Sequence, residues 1–290
     1  MKAVLSYFLF VLIFVSCTVE SKNKYLSYNN IIIFSDLSSR VENKPLKDFE
    51  EIQKIIRFFK EECVKPGEKI GDKSAIYFAA FSENIAASVD LNNFKSIIDK
   101  QQFINSTGIY KSNGLENRLN DFERKVKEVY SSTRNPGLDL ISILVDRLEK
   151  ERLVKEDRLL TDGVDTTFIK YNNHVYIFTD GYLEYVNNGG NRQFYFGISE
   201  IEKVRAYCKI NNVSISKALE DNPMLCLPPY KGKMNEFVTL HVLETHERDK
   251  DDKLQTYKFP VGQRDNEILE AVWKKWAKES GFKDLIWNKY

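Results

Sequence analysis

The chain has 290 residues, 42% of them hydrophobic and 13% aromatic, enough for one sizeable domain with its own core. Its 43 basic and 42 acidic side chains nearly cancel to a formal charge of +1, so the basic surplus that a nucleic-acid partner demands is missing. Three scattered histidines, His174, His241 and His246, argue against a histidine-rich zinc centre or a histidine general base.

The chain opens with MKAVLSYFLFVLIFVSC: one lysine, an apolar stretch from Ala3 to Val15, then Ser16 and Cys17. The stretch is short for a bilayer span and ends in a small residue, the pattern of a cleaved targeting signal. The junction resembles that of a bacterial lipoprotein signal, with Phe14, Val15, Ser16 and Cys17 in the place of the lipobox. That resemblance implies a signal peptide over residues 1–16, palmitate and related acyl chains on Cys17, and a lipid anchor in the cell envelope, with the periplasmic or surface face left open. An ordinary signal peptide and an uncleaved N-terminal anchor are the alternatives. With Cys17 so used, Cys63, Cys208 and Cys226 form an odd set and no disulfide framework; a Cys208–Cys226 bridge and buried free thiols both fit.

Polar residues 17–29 are expected to be a tether, and the folded part is expected to begin at Asn30. Asn30 to Phe34 is a continuous apolar run, as for a strand covered on both faces, and Ser35 and Asp36 end it. The next stretch, PLKDFEEIQKIIRFFKEECV, spaces Leu46, Phe49, Ile52, Ile56, Phe59 and Cys63 by three or four, the stripe of an amphipathic helix, before Pro66 and Gly67 stop it. SAIYFAAFSENIAASVD, residues 74–90, predicts a hairpin turning at Ser82, Glu83 and Asn84. Helical spacing returns from Glu116 to Tyr130, breaks at STRNPG, and resumes from Leu138 to Leu153 in a helix apolar all round at its start, hence deeply packed.

EKERLVKEDR reads as helical or loop-like, which makes the Asp162 of the following LLTDG a weak site candidate. HVYIFTDGYLEY, residues 174–185, is a strand that ends in Thr179, Asp180 and Gly181; His174 opens it and reads as structural. A helix over 198–210, a strand over 237–247 and a helix over 267–277 follow, the last with Ile268, Leu269, Val272, Trp273 and Trp276 on one face. Residues 222–235, NPMLCLPPYKGKMN, have the composition of a long surface loop.

Alternating strands and helices predict an α/β fold: a three-layer sandwich around a mostly parallel central sheet with an antiparallel edge strand. In such sheets, polar residues just past the carboxyl ends of strands gather at the ligand crevice. Asp36 and Asp180 both hold that kind of position.

These residues resemble a von Willebrand factor A (VWA) domain and its metal-ion-dependent adhesion site. DLSSR supplies Asp36 and Ser38 of an Asp-x-Ser-x-Ser motif, and FTDG supplies Asp180 of a Thr-Asp-Gly-like motif. Between them the family has an amphipathic helix, an edge hairpin and a helix entered through a Gly-Thr-Asp-like turn, the order of residues 46–140. The resemblance implies a VWA-like domain over 30–250, with residues 251–290 a C-terminal helical segment packed on it. It also implies a magnesium ion held by Asp36, Ser38 and Asp180, a set that suits a hard cation. Arg40 stands where the second metal-facing serine belongs and Leu138 where the threonine belongs, so Thr133 is the nearby hydroxyl that would complete the set. The alternative is that Arg40 replaces the cation, its guanidinium lying between the two carboxylates.

The function expected is a lipid-anchored envelope protein that binds a protein partner through the crevice at the sheet end, with no catalysis. The chain shows no nucleophile–base pair, no Gly-x-Ser-x-Gly elbow and no glycine-rich phosphate loop. Two other readings stand beside it. One is a scaffold lipoprotein in which the polar residues form a buried knot; the other is a phosphoesterase using Asp36 and Asp180 to hold magnesium and phosphate.

Overall fold

The structure, a computed structural model, describes residues 23–38, 45–66, 72–161, 165–185, 193–251 and 253–289. Strand β1 (Asn23–Ser35) leads into helix α1 (Pro45–Phe58), which continues as a wider π-helical turn from Phe59 to Val64. Strands β2 (Ala75–Ala80) and β3 (Ala87–Asp90) form the expected edge hairpin, and helices α2 (Ile97–Ile104), α3 (Leu115–Ser132) and α4 (Leu140–Lys150) follow. Then come β4 (Arg158–Thr161), β5 (Thr166–Thr179), α5 (Ile198–Asn211), α6 (Ile215–Asp221) and β6 (Val238–Glu244). A short ladder of β7 (Lys250–Asp251) and β8 (Thr256–Tyr257) precedes α7 (Asp265–Ser280) and β9 (Asp284–Lys289).

The main sheet has the order β3-β2-β1-β5-β6-β9, with β4 added to β5. The ladders β2-β1-β5-β6-β9 are parallel, while β3 and β4 run antiparallel. The expected α/β sandwich is therefore present. Every residue of the Ile31–Phe34 run is fully buried because both sheet faces are covered. Ile32 and Phe34 face a core shared with α4, α5, α6 and α7, whereas Ile31 and Ile33 face a second core built on α1, α2 and α3. Leu140, Ile141, Leu144 and Val145 are all buried, which accounts for the all-round apolar start of α4.

Three segments differ from the expectation. Residues 23–29, expected in the tether, belong to β1: they pair in register with 166–172 of β5, and their polar side chains suit an exposed ladder. Arg158–Thr161, where no strand is expected, is β4, an outer strand on β5, while the charged EKERLVKED before it ends α4 and runs on as loop, in line with the expectation. The C-terminal segment is not only helical: β9 pairs with β6 and widens the sheet. Cys63, Cys208 and Cys226 are free thiols, so the Cys208–Cys226 bridge is not formed. Among the described residues no helix is long and apolar enough to cross a membrane.

Candidate functional site

The parallel order reverses its direction of growth between β1 and β5, and Asp36 and Asp180 follow the carboxyl ends of those two neighbouring strands. At such a reversal the connections leave to opposite sides and open a crevice. The Asp36 amide extends the ladder by one more bond, donating to the Phe178 carbonyl at 2.8 Å. Its carboxylate then accepts from the Ser38 amide (3.1 Å) and from the Thr179 hydroxyl (3.4 Å). Aspartate closes that local turn because its short side chain reaches the amide two residues on. Ser38 forms an isolated parallel bridge with Asn135, which brings the turn before α4 to the same rim. The Ser38 hydroxyl is buried and has no hydrogen-bond partner.

The side chain of Asp180 is 0% exposed. One carboxylate oxygen accepts from the Tyr182 amide at 3.2 Å; the other accepts from Arg248 Nε at 2.7 Å and lies 2.5 Å from Arg248 Nη2. Arg248 Nη1 bonds Glu184 at 2.7 Å, and the guanidinium lies 3.9 Å from the centre of the Tyr182 ring. Burial works against the charge on Arg248, but Asp180 and Glu184 outweigh it and hold its pKa above the ordinary value. The Tyr182 hydroxyl donates to Asp265 at 2.6 Å, and burial followed by that bond pushes the phenol well up. Asp265 is in turn paired with Arg205.

Gly181 sits between these groups at φ +83°, where its carbonyl accepts from the Trp273 indole at 2.8 Å. A Cβ there would lie 2.6 Å from the Trp287 ring, so both the backbone angle and the space require glycine.

The expected site residues are thus only partly gathered. Asp36, Ser38 and Asp180 share the rim of β1 and β5, joined through Thr179. Thr133, buried at the end of α3, gives its hydroxyl to Glu83 instead. Leu138 packs on the core beneath α4. Arg40, Asp162 and Cys17 lie outside the described residues.

Arg248 went unnoticed in the sequence. It lies in the charged run ETHERDK, with no local feature to separate it from its neighbours, and only the pairing of Glu244 with Thr179 reveals that the run passes over Asp180. His174 behaves as a structural histidine: its Nδ1 lies 2.9 Å from His241 Nε2, between β5 and β6.

The donor set does not fit a magnesium ion as it stands. Magnesium asks for near-octahedral oxygens about 2.0–2.1 Å away. Here Asp180 is already forked by a guanidinium, Thr133 is turned to Glu83, and only the Ser38 hydroxyl is uncommitted in the way a ligand oxygen would be. Among the described residues no group of three or more histidine, cysteine, aspartate or glutamate side chains is arranged to hold a metal ion. Comparison with models of known protein families and with curated proteins finds no match for this chain.

Proposed function

We propose that this protein is a VWA-like binding module carried on a lipid-anchored envelope protein, and that it takes a protein partner at the crevice over the β1–β5 reversal. The observation that supports the reading is the meeting of Asp36 and Asp180 at the ends of the two strands where the sheet order turns. Two acidic groups at one rim call for positive charge, and the forked contact of Arg248 with Asp180 favours a guanidinium over a metal in that role. A partner would then meet Arg248 and Glu184, about one-fifth exposed, rather than Asp180 itself.

Photocrosslinking from position 136, on the exposed turn that bridges to Ser38, tests the proposal in native envelopes. One discrete protein partner, lost in Arg248→Ala and Glu184→Ala, is the expected result. Crosslinks confined to the chain itself would overturn it. The anchor is tested separately by Cys17→Ala, which should abolish labelling by radioactive palmitate.

The scaffold reading is favoured by one specific observation, the complete burial of Asp180 beneath Arg248. It predicts that partner capture is indifferent to both crevice substitutions.

A further inference from the structure

The strands of the main sheet do not start level. β2 first pairs with β1 at Asn30, and β6 first pairs with β5 at Asn173. Residues 23–29 and 166–172 therefore pair with each other, and β4 lies along the far side of β5. The result is a three-stranded tongue projecting from the amino ends of the strands, opposite the crevice.

One face of the tongue has its own small apolar cluster, in which Tyr28, Ile169 and Tyr171 are buried with Leu26 against them. The register sets Tyr25, Phe168 and Leu159 side by side on the other face, one from each strand. They are 72%, 38% and 61% exposed, and the Tyr25 and Phe168 rings stack with centroids 4.8 Å apart. A groove of about 580 Å³ runs along this part of the tongue. Leu160, next in the outer strand, is half exposed too but points to the other face. A contiguous apolar row left in water marks a surface meant to be covered.

We infer that the lipid bilayer covers it: the tongue is a footing that lies in the headgroup region of the membrane holding the anchor. This rests on the lipid-anchor reading. β1 begins six residues after Cys17, and six extended residues reach about 20 Å, so acyl chains and tongue meet the same membrane surface. The side chains suit that layer. Tyrosine and phenylalanine sit well at a membrane–water boundary; Lys170 stands exposed on the row's own face, and Lys24 and Arg158, exposed on the other face, flank it with stems long enough to reach headgroup phosphates. Asp157, its carboxylate held by the Tyr171 amide at 2.7 Å, keeps a negative charge beside these bases, so the apolar row rather than net charge carries the attraction to lipid.

The test uses the full chain, purified in detergent and reconstituted in vesicles of phosphatidylethanolamine and phosphatidylglycerol containing doxyl-labelled lipid. A fluorophore is placed at Ser27→Cys on the tongue or at Leu254→Cys in the turn between β7 and β8, in a Cys226→Ser background. Quenching by lipid doxyl groups should be several-fold stronger at position 27 than at 254, and most of the difference should vanish in Tyr25→Ser/Phe168→Ser. Intact mass of the same sample reads the acyl group on Cys17. Acylated, vesicle-bound protein with equal quenching at the two positions overturns the footing alone, as would crosslinking of two copies through their tongues. A chain without acyl groups overturns the anchor and the footing with it.

Discussion

Replacing Arg248 with methionine tests the polar centre of the crevice most directly. Asp180 is wholly buried, and Arg248 provides its charge partner through Nε and Nη2. Removing one member of a buried pair costs about 3–5 kcal/mol, because the other charge loses a partner that offset its desolvation. Arg248 and Glu184 are each about one-fifth exposed, so some water reaches the gap and the lower end applies; the lost contact with the Tyr182 ring adds about 0.5–1 kcal/mol. The sum is about 3–4 kcal/mol, or roughly 6–15 °C in melting temperature for a domain of this size. Arg248→Lys keeps the charge but loses the fork, and should fall between the two. Thermal unfolding by circular dichroism gives the values, and a cycle with Asp180→Leu isolates the coupling. The double variant should be more stable than the sum of the single losses predicts. A loss below about 1 kcal/mol, the size of a surface ion pair, or strict additivity in the cycle would refute the reasoning.

Gly181→Ala should destabilise by about 2 kcal/mol or more, from the left-handed backbone and the collision with Trp287, and should shift the indole emission of the Trp273–Trp287 pair. Burial, opposed by the Trp287 hydrogen bond, pushes Glu244 up to about 8. The folded state therefore holds a proton that the unfolded state releases at lower pH, and stability should fall as pH rises from about 4.5 to 8. Glu244→Gln should flatten that limb in a series of melting temperatures against pH. Burial and then His174 push His241 down to about 4, so the unfolded state takes up the extra proton; this contribution rises between about pH 4 and 6.5 and offsets the Glu244 fall there, so His241→Asn should steepen the fall over that window. Millimolar magnesium should leave the melting temperature of the wild type unchanged, whereas a dose-dependent rise would mean that Arg248 yields its place to the ion.

Periodicity and strand-end chemistry made much of the architecture legible. The Asn30–Phe34 run, the Ser82–Asn84 turn and the stripes of α1, α3 and α7 each state locally what the element must bury, except for Leu46, which opens the α1 stripe but is exposed. The tongue and β9 escaped because outer ladders tolerate polar residues: KYLSYNN and DLIWNK carry no strong pattern, and their partners are distant in the chain. The site divides along the same line. Asp36 and Asp180 stand out because each interrupts an apolar run at a strand end. Arg248 does not, because its role depends on β6 lying beside β5, a neighbourhood that no local spacing encodes.

β5 is a single strand of 14 residues that begins in the tongue and stops beside Asp180. At 3.2–3.4 Å a residue it is a strut about 45 Å long. With its amino end resting on lipid, it would act as a ruler, fixing the height at which the far rim meets other molecules. Lengthening or shortening the tether could change how freely the body pivots, but only a change in the strand itself would alter that stand-off.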